Sequence, residues 1–397
     1  MRVHPLLPIL LAIDLLILII EASFLSLSYS EAHTYFGYHG ISGYLSHIFT
    51  PLFGENDIAV RLPMILLHLG SVILLYLLSG HYLKSERERI LLVLIYILLP
   101  GVSSAALLLN DSGFVIFALF LFVYTYIKWK EHIATYILLG ILSLLGHAFF
   151  YLFLGLFFYA LYVKNIRFAL LNILFLLVNL FLYGTDIQGA PTGHFLDLLG
   201  VYAAIFSPLV FIYLVYVLYR RFLTKKMDIT WFLGTTAFLF SMLLSLRQRV
   251  HAEIYAPYLL LTLPLAAQTF INSYKVRLPR FRTRYKLLFN IALFFLALNF
   301  AIVLFNPVLY LFLDNPKKHF AYNNAVAKDL AKQLRDLNIS CVKAGDYKLQ
   351  LRLRFYDIDQ CNNYALLPYS TKNAKNVTIR YMQKPIFQTY VTKLNNK

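Results

Sequence analysis

What most constrains this 397-residue chain is a run of apolar stretches through its first three quarters, separated by short polar breaks. Each is long enough to cross roughly 30 Å of hydrocarbon. About eleven such stretches can be counted on that criterion. They lie near 5–24, 62–83, 90–108, 113–127, 133–149, 150–163, 168–184, 199–219, 229–246, 253–271 and 287–306. The third to sixth are the shortest or most nearly continuous. With 60% hydrophobic and only 14% charged residues, the chain reads as a polytopic membrane protein. The first stretch has a long apolar core and no small-residue cleavage site, so it reads as a retained span.

The basic residues set the expected orientation, because Lys and Arg near span ends stay on the cytoplasmic side. With the N-terminus inside, the inner segments hold eighteen Lys or Arg, from Arg2 to Lys286, and the short outer loops hold Arg61, Arg247 and Arg249. The formal charge of +17 is largely accounted for by this bias and by a basic tail, which argues against nucleic acid as a partner.

Past Pro307 the character changes. Residues 313–397 carry fifteen Lys or Arg against six Asp and hold no spanning run, so they read as a small soluble domain after a membrane domain of 1–312. Both cysteines, Cys341 and Cys361, fall there, and an oxidising compartment would let them pair; two free thiols are the other reading. Val326, Leu330, Leu334 and Leu337 have helical spacing, whereas Cys341-Val342 and the alternating Leu349–Tyr356 read as strands. The expected fold is an all-α polytopic membrane domain with a small C-terminal α/β or α+β domain. The triplets at Asn338 and Asn376 match glycosylation acceptors but arise often by chance.

The first outer loop holds Glu31, a carboxylate able to act as general base or to bind a metal, or simply a solvated acid. The aromatics that follow, among them Tyr35, Phe36, Tyr38, Tyr44 and Phe49, suggest amphipathic helices lying in the interface. Asp111, in Asn110-Asp111-Ser112-Gly113, is either a turn former or the second member of an acidic pair. Arg247, Arg249 and His251 stand against the positive-inside trend; they fit either a phosphate site, since Arg gives phosphoryl oxygens two donors, or outer headgroups. Glu31, His33, Asp111 and His251 are chemically suited to a divalent metal, though no spacing among them identifies one.

Several of these segments resemble the polyprenyl-phosphate-sugar-dependent glycosyltransferases of the C superfamily, in the branch of protein O-mannosyltransferases and lipid A aminoarabinose transferases. Ser30-Glu31-Ala32 with Tyr35 is similar to that family's Asp-Glu-Ala-x-x-Tyr. Gly54-Glu55-Asn56-Asp57-Ile58-Ala59-Val60-Arg61-Leu62-Pro63 is similar to its Gly-x-x-x-x-Ala-x-Arg-Leu-Pro, the most specific piece. Asn110-Asp111 after the Pro100-containing third span, and Pro257-Tyr258-Leu259-Leu260-Leu261-Thr262-Leu263-Pro264, resemble two later segments. Together they cover about the first 270 residues. Two positions depart: Ser30 stands where the family has Asp, and Pro257 where a basic residue is common, so that Arg249 or His251 would substitute.

The resemblance implies an inverting transfer of a sugar from a polyprenyl phosphate carrier to a lipid, glycan or protein acceptor. The reaction would take place on the outer face of a bacterial inner membrane, with the N-terminus cytoplasmic and the C-terminal domain periplasmic. It implies Glu31 as base or acceptor-orienting group and Asp111 as its electrostatic or metal-binding partner. Arg61, Arg249 and Tyr258 fall at the lipid phosphate, with His251 and Tyr35 among the substrate-binding residues. Two other readings stand beside it. One is a transporter or flippase for a lipid-linked glycan, for which Asp14 is the clearest mid-span acid. The other is an inactive scaffold relative, motivated by Ser30.

Overall fold

The computed structural model describes residues 4–130, 132–184, 193–371 and 374–394; Arg2 lies outside them. Each apolar stretch falls on one helix or one bent pair of helices. Leu6–Phe24, Asp57–Ser79, Ser112–Trp129, Ile166–Tyr183 and Pro279–Leu304 are each long and apolar enough to cross a membrane. Three further passes are broken: Glu86–Ile97 with Pro100–Leu107 bends by 64°, Phe195–Phe206 with Pro208–Leu223 by 106°, and Ala252–Leu260 with Leu263–Val276 by 42°. Pro100, Pro208 and Pro264 each stand in the first two positions of the second helix of their pair. Proline lacks the N–H that would continue the preceding helix, yet fits a first turn, so each break falls where the sequence requires it. The remaining expected stretches are the shorter apolar helices Ile133–Ser143, His147–Tyr162 and Ile229–Ser245. Every expected stretch thus lies on helix, but among the described residues five helices, or eight with each bent pair taken as one span, are long and apolar enough to cross a membrane, against the eleven expected.

The chain gathers into two compact units. One comprises Met1–Leu15, Met64–Ala106 and Asp111–Phe300; the other comprises Leu16–Pro63, Leu107–Asn110 and Ala301–Lys397. In the first, small residues allow close helix approach. A Cβ on Gly234 would lie 3.2 Å from the carbonyl oxygen of Tyr258, and one on Gly155 would lie 3.2 Å from Leu233 Cα. Phe120, Phe122, Phe153 and Tyr202 are fully buried in its core.

The second unit holds two loop helices, Tyr29–Gly37 and Gly40–Phe53. Gly43 lets them meet, since a Cβ there would lie 2.7 Å from the Thr34 carbonyl. Tyr44, Ile48 and Leu52, four residues apart on the second helix, are exposed, giving the amphipathic face expected of an interfacial helix.

The tail of the same unit carries β1 (Lys343–Ala344), β2 (Tyr364–Leu367), β3 (Lys375–Tyr381) and β4 (Lys384–Lys393). Their order is β1-β2-β4-β3, with β1 parallel to β2 and the other pairs antiparallel. Cys341 and Cys361 form a disulfide with their Cα atoms 5.5 Å apart. The expected helix is present as Ala327–Asp336. Leu349–Tyr356, expected as a strand, instead falls largely within the helix Tyr347–Phe355. The alternation misled because this helix is buried on several faces: Leu349, Gln350, Leu351, Arg352, Leu353 and Phe355 are all enclosed. Its start was signalled by Asp346, whose carboxylate accepts the Lys348 N–H at 2.9 Å.

Candidate functional site

The loop after the first span begins with a capping box. Ser28 ends the extended segment after the first span, and its hydroxyl accepts the Glu31 N–H at 3.3 Å. Glu31 Oε2 in turn accepts the Ser28 N–H at 2.9 Å. This reciprocal pair starts helix Tyr29–Gly37 and turns the Glu31 side chain inward, where it is 2% exposed.

Inward, Glu31 meets Arg61. Arg61 Nε lies 2.9 Å from Glu31 Oε1 and Nη2 lies 3.1 Å from Oε2, a bidentate pair. Arg61 Nη1 also donates to the carbonyls of Ala22 (3.1 Å) and Leu25 (2.8 Å), and Nη2 to that of Ser26 (3.2 Å). These carbonyls lie in the last turn of helix Leu6–Phe24 and just after it, where the helix offers no N–H partners of its own. All five guanidinium N–H groups are therefore used, and the side chain is wholly buried. Glu31 is equally engaged: besides Ser28 and Arg61 it accepts from the Leu109 N–H at 3.2 Å and from Asn324 Nδ2 at 3.1 Å.

A second carboxylate extends the cluster. Asp57, four residues before Arg61, lies 3.9 Å from its Nη1. Its Oδ1 accepts the Tyr356 hydroxyl at 2.5 Å, and its Oδ2 pairs with Lys328 Nζ at 2.7 Å. Tyr356 itself accepts the Leu27 N–H at 2.7 Å. Burial, with Asp57 beside it, holds the Tyr356 hydroxyl well above the ordinary tyrosine range, so it remains a donor. Two carboxylates and two cations make the cluster electrically balanced, the condition under which buried charges persist.

The expected site residues therefore divide. Glu31 and Arg61 come together in one unit, but as a closed clamp: Arg61 keeps no donor for a phosphate, and both Glu31 oxygens already accept from donors of the protein. Tyr35 lies in the same unit, buried, its hydroxyl 3.4 Å from Thr50 Oγ1 and 3.2 Å from Glu55 Oε1. Glu55 is the exposed carboxylate of this loop. Ser30 and His33 are exposed as well.

The others lie in the first unit. Asp111 is exposed at the start of helix Ser112–Trp129, and its side chain does not cap that helix. Arg249 is exposed, and exposed His251 is the N-cap residue of helix Ala252–Leu260. Tyr258, in the same helix, is fully buried and donates its hydroxyl to the Ala148 carbonyl at 2.6 Å. It braces this helix from within. Among the described residues no three of His, Cys, Asp and Glu gather as a cation site, and the Glu31 oxygens of the expected metal set are already taken.

Asp57, Lys328, Asn324 and Tyr356 were not singled out from the sequence as site residues. Asp57 carried a signal, an acid one helical turn before Arg61. Asn324, Lys328 and Tyr356 lie about 300 residues from their partners, and no local pattern marks them.

No protein-family model matches this sequence, and no curated protein is significantly similar to it. Among solved structures, the chain is similar to ArnT from Cupriavidus metallidurans in the apo state, with 12% identity and a TM-score of 0.54 over 97% of both chains. It is similar to the same protein bound to undecaprenyl phosphate, with 11% identity and a TM-score of 0.54, again over 97% of both chains. The likeness is one of fold, and it runs the length of both chains. The resemblance read from the loop motifs is borne out at that level.

Proposed function

We propose that this chain moves a sugar, a hexose or pentose, from a polyprenyl phosphate carrier to an acceptor at the outer surface of a bacterial inner membrane, with inversion. The observation that carries this reading is the Glu31–Arg61 clamp. The loop-one acid motif and the Arg-Leu-Pro motif, thirty residues apart in sequence, are physically one object. They are so in a chain that shares its fold with a protein crystallised with undecaprenyl phosphate.

In this reading the clamp holds the loop and the exposed groups do the chemistry. The acceptor hydroxyl oxygen attacks the anomeric carbon as the bond from that carbon to the phosphate oxygen breaks. The hydroxyl proton passes to the Asp111 carboxylate, and polyprenyl phosphate leaves with the bonding electrons. Arg249 and His251 meet the charge that grows on the departing phosphate, where donors are most effective. Tyr258, buried, holds the helix that begins after His251, and Tyr35 braces the loop helices of its own unit. The N-terminus is cytoplasmic, and the domain that follows the last span, from about residue 313, is periplasmic. The test is purified protein in proteoliposomes with a radiolabelled polyprenyl-phosphate sugar. Release of the polyprenyl phosphate, dependent on Asp111, is expected; no donor consumption with any acceptor fraction from bacterial envelopes would remove the transferase reading.

A second reading, an inactive relative serving as a scaffold, is favoured by two observations: Glu31 and Arg61 have no group free, and Ser30 offers an exposed hydroxyl where the related motif has an acid. In the same assay an inert wild type, with activity appearing in Ser30→Asp, would establish it.

A further inference from the structure

Helix Pro279–Leu304 is loosely held: of its 26 residues only Leu296 is buried. Two sets of contacts fix it to the first unit. Near its start Tyr285 and Phe289 pack on Phe270 with ring centres 4.6 and 4.8 Å apart, and near its end Asn299 Nδ2 donates to Ser207 Oγ at 3.0 Å. Between them the helix stands off from helices Glu86–Ile97, Pro208–Leu223 and Leu263–Val276, leaving a cavity of about 370 Å³. Leu92, Leu214, Ala267, Ala292 and Leu293 are among its walls, and of the described residues that line it only Glu88, Tyr213 and Tyr285 bring a polar side-chain atom. The cavity opens to the outside of the bundle, where Leu288 and Ile291 of its lining are 64% and 39% exposed. Apolar cavities of roughly 150 Å³ already stay dry and take up benzene. In a spanning segment the outside is hydrocarbon, so a methylene chain is the natural filling, and it restores contacts that an empty space forfeits.

One end of this cavity is strongly basic. Residues 275–286 hold six Lys or Arg and no acid. Lys275 Nζ is taken by Glu88 Oε1 at 3.2 Å. Arg282 is turned back on the backbone, its Nε donating to the Arg277 carbonyl at 2.8 Å and its Nη2 to that of Lys275 at 2.9 Å. Arg277 is exposed, its Cζ 4.2 Å from the centre of the Tyr285 ring, and it makes no ion pair among the described residues. Tyr285 lines the cavity, so a cation without counter-charge stands beside it. We propose that the cavity takes one acyl chain of an anionic glycerophospholipid whose phosphate rests on Arg277. Basic segments directly beside a span attract anionic headgroups, and guanidinium gives phosphoryl oxygens two donors. Here that segment adjoins an apolar slot for the chain. The sugar carrier is not the occupant. Arg249 and His251, assigned above to its phosphate, precede the broken pass Ala252–Leu260 with Leu263–Val276, whereas Arg277 follows it, at the other end. The lipid site itself does not depend on the transferase reading. Once filled, it fastens the last span along its length.

The test is native mass spectrometry of the full chain in mild detergent, titrated with dioleoyl phosphatidylglycerol or dioleoyl phosphatidylcholine. One phosphatidylglycerol is expected to bind at least about tenfold more tightly than phosphatidylcholine, as one charge-assisted contact implies. Arg277→Gln should remove that preference and leave weak binding of both lipids. Ala292→Phe, which fills the cavity, should lower the phosphatidylglycerol affinity by a similar factor although the basic residues stay in place. A measurement on the wild type needs no variant to fold: phosphatidylglycerol with a mid-chain diazirine is expected to cross-link within residues 88–95, 209–214, 263–271 or 285–296. Equal binding of the two lipids, an undiminished preference in Arg277→Gln, or cross-links confined to other segments would each overturn the proposal. So would full phosphatidylglycerol affinity in a folded Ala292→Phe protein, because the basic segment alone would then account for binding. Displacement of phosphatidylglycerol by undecaprenyl phosphate at lower concentration would give the cavity to the carrier instead. None of these readouts involves sugar transfer, so a chain that never consumes donor keeps the lipid site, and one that consumes donor without binding the lipid loses it.

Discussion

Glu31 and Arg61 form a bidentate ion pair, 2.9 Å and 3.1 Å between their atoms, with side chains 2% and 0% exposed. Each is saturated by other groups that include the end of one span and the start of a loop helix. Arg61 therefore acts as a covalent-like tie between the Ala22, Leu25 and Ser26 carbonyls and the carboxylate.

Removing one partner of a buried, hydrogen-bonded pair strands the other, at a cost of about 3–5 kcal/mol. Glu31→Gln and Arg61→Met are each expected to lower the unfolding temperature in detergent and to lose activity with it, and Arg61→Lys to do so nearly as much, because an ammonium cannot bond both carboxylate oxygens and three carbonyls. Thermal unfolding and transfer rate measured on the same preparations decide the role of Glu31. A Glu31→Gln protein with wild-type stability and no activity would make it the base instead.

Asp111 gives the opposite signature. Asp111 is exposed and Asn keeps the size of its side chain, so Asp111→Asn should lower the unfolding temperature far less than Glu31→Gln, which strands a buried charge. If the carboxylate takes the acceptor proton, kcat should fall by about 10²- to 10⁴-fold with little change in donor affinity. A variant that keeps its rate would return the position to a turn at the start of helix Ser112–Trp129, and Glu55→Gln would then be the next test.

The contrast between these two acids shows where a single sequence is informative. Apolar length is a local property, so the apolar segments were readable directly; the three breaks at Pro100, Pro208 and Pro264 were not expected, although the prolines that cause them stand in the sequence. Ser28-Tyr29-Ser30-Glu31 has the spacing of a capping box, which assigns Glu31 a structural task beside its place in the loop motif. Tyr356, Lys328 and Asn324 reach the cluster only because the tail folds back onto the loop, and no pattern of period two or four encodes that. The strand expected at Leu349–Tyr356 failed for a related reason: the helix buries Gln350 and Arg352 along with its leucines, so its polar residues do not mark out one exposed face for periodicity to detect.

Tyr356 links that tail to the clamp through a single hydroxyl. Tyr356→Phe keeps the ring and removes the donor to Asp57 and the acceptor for the Leu27 N–H. Leaving these buried groups unsatisfied costs about 1–3 kcal/mol. Hydrogen exchange should quicken at Leu27 and at the start of helix Asp57–Ser79, while the β4 strand keeps its protection. Unchanged exchange at Leu27 would show that the bond contributes nothing.

The Cys341–Cys361 disulfide closes a loop of twenty residues that contains strand β1 and helix Tyr347–Phe355. A closure of that size restricts the unfolded chain by about 3 kcal/mol. Cys341→Ser/Cys361→Ser, or dithiothreitol on the wild type, should lower the stability of this domain by that order and loosen residues 341–361 first. Protection of the long spanning helices should not move. An identical melting profile with and without reductant would count against the disulfide as a stabilising element.

Asp14 and His68 bear on the transporter reading. His68 Nε2 lies 2.7 Å from Asp14 Oδ2, both residues are 4% exposed, and the imidazole stacks on Tyr96 with ring centres 5.9 Å apart. A charge buried in a span is costly and needs a reason. In a transporter the reason is a pair that opens to exchange partners during the cycle. Here the acid has its partner on the neighbouring helix, which makes the pair a tie between helices Leu6–Phe24 and Asp57–Ser79. A tie predicts non-additivity: Asp14→Leu and His68→Leu each destabilise by leaving the other group unpaired, and the double variant is more stable than either single one. It also predicts that Asp14→Asn, which keeps a hydrogen-bonding amide, retains sugar transfer. A wild-type protein that carries labelled carrier lipid across proteoliposomes, and an Asp14→Asn protein that does not, would instead assign this pair to transport.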